Sequence, residues 1–372
     1  MIINKHADVV VGLQYGDEGK GKIAAGISEQ CNYDYTSRYN GGANAGHTVT
    51  LENDVEVRLH QIPTSIIYKK PGYIGPGALI DFTALDDEDF HFRSKMKFSP
   101  YEYLTISPQA IVINLKHKKK DKDYHAKIQG STSSGVAPAY ADFYNRTARL
   151  AKEYSWSDNT GQETILDVSE ADTMLLEGAQ GFYLNPYNGV YPYTTSSSCN
   201  PCQAASNFGF PHTKFRHIIG VAKCYETRSG IDPHFNLLMT KYNNLIEESL
   251  TENQHQKRLK SYAALQEKGS EIGVTTGRKR QVRYLDLSRL IKAIQSTGTT
   301  ILVLNKWDVL DSCIEADLQI FYNGETVLFS NIEEMQNYID IKVTEHCVGV
   351  QKTFFSTTPK NDINWKEHLQ DD

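Results

Sequence analysis

The stretch Asp8–Lys22, DVVVGLQYGDEGKGK, constrains this chain more than any other part of it. A β-branched apolar run feeds straight into a loop with glycine at 16, 19 and 21. A run like Val9–Val11 reads as a strand buried on both faces, and such a strand ending in a glycine-rich turn predicts an α/β sheet. The loop fails the Walker spacing. No glycine stands at the required distance before Gly19-Lys20, and Gly21 rather than Ser or Thr follows the lysine. What remains is an anion cradle: glycines at which backbone N–H groups approach a ligand closely, with Lys20 and Lys22 supplying charge. Asp17 does not belong in a plain phosphate cradle, but it suits a metal ion or a general base. A tight strand-to-helix turn is the structural alternative.

Further apolar runs at Ile111–Ile113, Met174–Leu176, His217–Val221 and Thr300–Leu304 repeat the pattern, several with glycine- or hydroxyl-rich loops behind them. They predict an α/β fold: a large central, mostly parallel sheet flanked by helices, with inserted smaller lobes. Ser288–Gln295 and Asn236–Leu250 read as helices from their apolar spacing and lack of Gly and Pro. Without an internal repeat or a low-complexity linker, the expectation is one domain over residues 1–372.

Composition narrows the function. With 372 residues, 40% of them hydrophobic, the chain can bury a sizeable core. A formal charge of −6 argues against general nucleic-acid binding. No apolar run approaches the roughly 18 residues of a membrane span, and the opening runs directly into a core strand, so a cytoplasmic protein without a cleaved leader is expected. Six cysteines do not make a disulfide framework. Cys199 and Cys202 form the close pair CNPC, read as reduced thiols because neither zinc spacing nor the helix-start context of a redox pair is evident. The run Lys116–Lys127 reads as a solvated loop or helix face interspersed with Asp121 and Asp123, its alternative being an attractor of anions.

Five further segments carry chemistry. RYNGGANAGHT (Arg38–Thr48) brings backbone close to a ligand, can offer a carbonyl to magnesium, and ends near His47, which can share a proton at neutral pH. LVLNKWDVLD (Leu302–Asp311) contains Asn-Lys-x-Asp after an apolar strand; Asp308 would accept from N1 and N2 of guanine, and Lys306 would lie along its plane. A capped turn is the alternative there. GVTTGRKRQVRYLDL (Gly273–Leu287) offers paired hydroxyls and an arginine cluster suited to carboxylates, or else a solvated basic loop. GSTSSGVAPAY (Gly130–Tyr140) and the segment Glu177–Ser198, starting EGAQG, are rich in groups that bind a phosphate or a purine edge.

Together and in this order, GDEGKGK, GGANAGHT, GVAPAY, EGAQG, TTGRKR and NKWD resemble the adenylosuccinate synthetase family over nearly the whole chain. The resemblance implies a ligase that joins IMP and L-aspartate using GTP and Mg2+, in a homodimer. It implies Asp17 as the base at N1 of IMP and a magnesium ligand, His47 as partner acid, the Gly46 carbonyl as a second magnesium ligand, and Lys20 beside the phosphates. It places Asn44, Thr132, Gln180 and Thr195 on the monophosphate, and Arg146 on the monophosphate of the neighbouring subunit. Thr275, Thr276, Arg278 and Arg280 match the aspartate loop. The GTP set is Gly16, Glu18, Gly19, Lys20, Gly21, Lys22, Gly46, His47, Thr48, Lys306, Asp308, Ser356 and Pro359.

The chain departs from the family pattern at Asn40, commonly glutamine, at Ala43, commonly histidine, and at Thr358, commonly glycine. It is also short between Arg146 and Gln180 and between Asp308 and Ser356. Phage-type relatives run the same chemistry on dGMP, and ATP as donor belongs with that alternative. Many of them replace the catalytic aspartate by serine, so Asp17 favours IMP. A GTP-binding regulatory switch, suggested by NKWD, lacks its Walker loop.

Overall fold

The computed structural model describes residues 1–154, 164–230, 232, 235, 252–273, 277–313 and 316–369. At its centre lies an eight-stranded sheet in the spatial order Lys352–Phe355, Ile301–Asn305, Phe215–Lys223, Ile2–Gly12, Glu170–Glu177, Tyr35–Arg38, Gly72–Ile74 and Leu104–Ile106. Every neighbouring pair in this sheet is parallel. The predicted parallel sheet is therefore present, and its antiparallel companions are confined to separate two-stranded ribbons such as His47–Thr50 with Glu56–Leu59 and Tyr225–Arg228 with Gln281–Tyr284.

The central strand β1 (Ile2–Gly12) is covered on both faces, which explains its unbroken apolar run. Val9, Val11 and Leu13 join a core with Leu176, Ala222, Leu304 and the helices Leu287–Thr297 and Ile332–His346. Val10 points the other way, into a cluster with Ile23, Ala24 and Ile27 of helix α1 (Lys20–Gln30) and with Trp365. Each of the Val, Leu and Ile side chains among them contributes roughly 1.5–3 kcal/mol by leaving water. The predicted helix Ser288–Gln295 is found as Leu287–Thr297, started by Asp286 accepting from the Arg289 N–H at 3.0 Å and ended by Gly298 at φ +69°. The second predicted helix, Asn236–Leu250, falls outside the described residues.

The lysine-rich run differs from its expectation in one respect. It is helical from Leu115 to Gln129, with most of its lysines exposed, but Asp121 is buried. The Asp121 carboxylate accepts from Ser131 Oγ and, at 2.7 Å, from the Gly135 N–H, tying this helix to the loop that opens helix Val136–Tyr144. Cys202 does begin a helix, Cys202–Phe208, contrary to the reading of CNPC. Its partner Cys199 is buried, and burial pushes that thiol up to about 12, the opposite of a reactive thiolate; both cysteines are free. Among the described residues no helix is long and apolar enough to cross a membrane.

Strand order reverses at β1. On one side come Glu170–Glu177 and then the strands from residues 35 to 106, and on the other the strands from 215 to 355. In open parallel sheets the crevice outside the strand ends at such a reversal is where ligands bind.

Candidate active site

Because all eight strands run the same way, Gly12, Arg38, Glu177, Lys223, Asn305 and Phe355 end on one edge of the sheet, and the motif loops leave from that edge. Sequence-distant glycine loops thus converge on the strand-order reversal.

The loop after β1 is held by Glu18. Its carboxylate is wholly buried and accepts from the N–H groups of Gln14 at 3.1 Å and Gly16 at 2.8 Å, and from Lys20 Nζ at 2.6 Å. A Cβ at Gly12 would sit 2.6 Å from this carboxylate and one at Gly181 2.4 Å from it, so both positions must be glycine for Glu18 to fit. The two acids of GDEG therefore do different work. Glu18 fastens the turn and neutralises Lys20, whereas Asp17, at φ +60°, turns its partly exposed side chain away from that turn. There Asp17 Oδ2 meets Arg280 Nε at 2.8 Å and accepts from Ser229 Oγ at 2.8 Å.

Lys22 lies on the first turn of α1 and reaches the C-terminal motif. Its Nζ donates to Ser356 Oγ and, at 2.6 Å, to the Thr358 carbonyl, with Asp362 at 3.4 Å. Burial lowers its pKa, and Asp362 opposes the shift. Asn305 Nδ2 donates to the Glu18 carbonyl at 2.8 Å, joining the Asn-Lys-x-Asp strand end to the glycine loop. Lys306 (φ +72°) extends to the Gly269 carbonyl at 3.3 Å, and Asp308 is half-buried with no side-chain hydrogen bond to a described residue. Ser356 is buried and donates to Asp362 at 2.6 Å, while Pro359 is exposed.

His47 packs over the start of α1, where a Cβ at Gly21 would come 2.6 Å from the His47 Cβ. Its Nδ1 contacts the buried Glu177 carboxylate, which also accepts from Arg38 Nη1 at 3.0 Å and from the Thr64 N–H and hydroxyl. Burial and Arg38 lower the His47 pKa to about 4, against the upward pull of Glu177. Burial alone would raise Glu177, but His47 and Arg38 outweigh it and hold the carboxyl at about 2. The imidazole is therefore neutral near pH 7, with Nδ1 set against both the Glu177 carboxylate and, at 2.9 Å, Arg38 Nη1.

The remaining loops close the crevice. Gln180, at φ +58°, accepts from Ser197 Oγ at 2.9 Å, while its buried Nε2 has no partner among the described residues. Thr195 Oγ1 lies 3.4 Å from that same Ser197, and Asn44 Oδ1 accepts from the Gly42 N–H at 3.1 Å. Thr132 pairs with Ser134 at 2.9 Å, and Arg278 Nη1 donates to the Gly130 carbonyl at 2.9 Å. Asn40, where the resemblance leads one to expect glutamine, fills a structural place: it accepts from the Ala179 N–H at 2.8 Å and donates to the Ser198 carbonyl at 2.8 Å. Two sequence-predicted residues, Thr275 and Thr276, lie outside the described residues. Arg146 is not brought to the crevice. It is exposed, at φ +63°, two residues past helix Val136–Tyr144.

Sequence reasoning missed Arg38, Glu177, Lys223, Ser229 and Glu271. The first three had a signal: each is a charged residue that closes its strand directly after a run of apolar or small residues. A charge there faces the edge where the loops gather. Among the described residues no three acidic, His or Cys side chains gather as a metal cluster. Magnesium keeps several waters and shares phosphate oxygens, so a site for it does not require such a cluster.

A family model described as adenylosuccinate synthetase matches residues 9–158 and 157–356. The chain is 34% identical over 365 residues to the adenylosuccinate synthetase of Thermotoga maritima, spanning 87% of this chain and 85% of that one. It is 31% identical over 398 residues to that of Desulforapulum autotrophicum, spanning 93% and 86%. Two solved structures share the fold. One is the fully ligated adenylosuccinate synthetase of Plasmodium falciparum, with TM-score 0.70 and 22% identity over 95% of this chain and 97% of that one. The other is the cyanophage S-2L succinoaminodeoxyadenylate synthetase bound to dGMP and dATP, with TM-score 0.69 and 18% identity over 96% and 94%.

Proposed function

The chain belongs to the adenylosuccinate synthetase family, and on that premise we propose that it joins L-aspartate to C6 of IMP with GTP as phosphoryl donor, working in the cytoplasm as a homodimer. The observation that carries this reading is the contact between Asp17 and Arg280. It sets the residue proposed as base 2.8 Å from the residue proposed to take the amino acid's carboxylate.

The chemistry follows from the purine. Oxygen at C6 of hypoxanthine is a poor leaving group until it is phosphorylated, and phosphorylation needs electron density pushed onto it. Asp17 removes the N1 proton, and O6 takes the γ-phosphoryl group. The aspartate amine then attacks C6 and gives up a proton to solvent as the C6–O bond breaks and phosphate leaves. Lys20 and the N–H groups of the glycine loop neutralise the phosphates, and His47 meets the transferring group through Nε2. As the phosphates arrive they draw the imidazole toward its protonated form, so a neutral resting His47 becomes a donor when it is needed. Mg2+ held by Asp17 and the Gly46 carbonyl would add charge neutralisation at the phosphates.

Gln180 offers to the monophosphate substrate the amide N–H that has no partner among the described residues, beside Asn44, Thr132 and Thr195. Arg278 and Arg280, with Thr275 and Thr276, take the amino acid. Asp308 and Lys306 read the donor base, with Ser356 and Pro359 beside them. A second copy of the chain completes the site through Arg146. Supporting this, Leu115, Tyr124, Phe143 and Tyr144 are exposed on the helix pair that leads to Arg146.

The test is phosphate release from GTP or ATP with L-aspartate and either IMP or dGMP. Turnover with IMP, and none without aspartate, is expected. Turnover with dGMP alone would overturn the choice of purine, and hydrolysis independent of both substrates would overturn the ligase.

A further inference from the structure

Behind Arg280 lies a buried charge chain that the reaction above does not use. Glu271 is wholly buried. Its Oε1 receives Lys223 Nζ at 3.1 Å and the Tyr225 hydroxyl at 2.7 Å, and its Oε2 receives Arg280 Nη1 at 2.6 Å. The backbone holds the same pair together, since the Arg280 N–H donates to the Glu271 carbonyl at 2.8 Å and Gln266 donates to the Arg280 carbonyl at 2.5 Å. Lys223 is itself buried, at the last position of its strand. Two cations and two carboxylates thus alternate from the interior to the crevice: Lys223, Glu271, Arg280, Asp17.

The two ends of this chain are unequal. Glu271 is inaccessible and has three side-chain donors, whereas about a quarter of the Asp17 side chain is exposed, at 23%. A guanidinium whose Nη1 is fixed from inside keeps its outward edge in one orientation, so it meets an arriving carboxylate without first being ordered. Burial of this kind is not an economical source of stability, because an apolar pair of similar volume often serves as well. Its value lies in where it points Arg280.

We propose that Glu271 is the positioning residue for the amino-acid site, holding Arg280 for the substrate's carboxylate and, through Arg280, holding Asp17. This rests on the reading of the chain as an aspartate-using ligase. The assignment extends to Lys223, which keeps Glu271 in place. Burial would raise the Glu271 carboxyl, but Lys223 and Arg280 hold it at about 2, so this anchor stays charged across the working range.

The test is steady-state kinetics on the double variant Lys223→Met/Glu271→Leu, which exchanges the buried pair for apolar groups, alongside the nearly isosteric Glu271→Gln. The expected result is a folded double variant whose KM for L-aspartate rises tenfold or more, with the KM values for IMP and GTP within twofold of wild type. Glu271→Gln should shift the aspartate KM in the same direction by a smaller factor. An unchanged aspartate KM in a folded variant would overturn the proposal. So would a parallel rise in all three KM values, or failure of both variants to fold, since either outcome marks a purely structural role. Wild-type protein that makes no product from L-aspartate would instead refute the ligase reading, and this assignment with it.

Discussion

Glu18 and Lys20 form an ion pair 2.6 Å long inside the glycine loop, with the carboxylate fully buried, while the adjacent Asp17 is left to face the crevice. Breaking a buried pair by removing one partner leaves an uncompensated charge and costs about 3–5 kcal/mol. Glu18→Ala should therefore lower the unfolding free energy by that order in urea titrations, and it should cost activity because the loop loses its fastener. A stability loss under about 1 kcal/mol would mean that the pair does not organise the turn.

Asp17→Ala should behave in the opposite way. Its side chain is partly exposed, and the Arg280 it meets keeps its buried partner Glu271, so stability should stay within about 1 kcal/mol of wild type. Turnover should fall by on the order of 10²–10⁴, the usual worth of a general base, or further if a metal ligand is lost too. Near-normal kcat in this variant would refute the role of Asp17 as base.

Stability should fall as the solution is acidified through the range where His47 titrates. Burial keeps this imidazole proton-free in the folded chain down to about 4, whereas an unfolded chain takes the proton near 6.5. Between those values the unfolded state binds more protons, so acid favours unfolding. The contribution is complete above about 6.5 and lost by about 4, and that gap corresponds to on the order of 3 kcal/mol. Glu177, held at about 2, adds a loss of the same sign below its ordinary value of 4.5. Urea midpoints measured across this range should decline, and His47→Asn should flatten the upper part of the decline. An unchanged slope in that variant would assign the acid sensitivity elsewhere.

The proposed dimer has a direct functional test in mixed variants. Arg146→Ala should remain folded, because the side chain is exposed, and should raise the KM for the monophosphate. Mixed in equal amounts with Asp17→Ala and allowed to exchange subunits, it should recover about a quarter of wild-type activity, since half the dimers would be hybrids with one intact site. No recovery under conditions where sedimentation demonstrates exchange would place Arg146 outside the partner's site.

Much of the fold was legible because parallel strands buried on both faces leave a strong local trace. Val9–Val11 and Thr300–Leu304 are continuous apolar runs, and in the structure each packs both ways. The helix after Asp286 was readable for the same reason, since its cap, apolar face and terminal glycine are all local. Strand order was not readable. Nothing in the sequence near Glu170–Glu177 says that it enters between Ile2–Gly12 and Tyr35–Arg38, because that pairing is decided by long-range packing. Asp121 was misjudged on similar grounds: a carboxylate among lysines looks solvated until a loop ten residues later needs an acceptor.

The sequence alone settled which chemistry is available. Six motifs in order supply a glycine cradle, a base, a histidine, an arginine loop and a base-reading strand end, and each is a short-range pattern of residue types. The resemblance already named Asp17 rather than Glu18 as the expected base, and only the tertiary structure gave a physical reason for preferring it. Glu18 is consumed by three donors within its own turn, and Asp17 meets Arg280 across an interval of more than 260 residues. The physical reason is that burial and charge pairing depend on what the folded chain brings alongside, and a string of residue types does not contain that information.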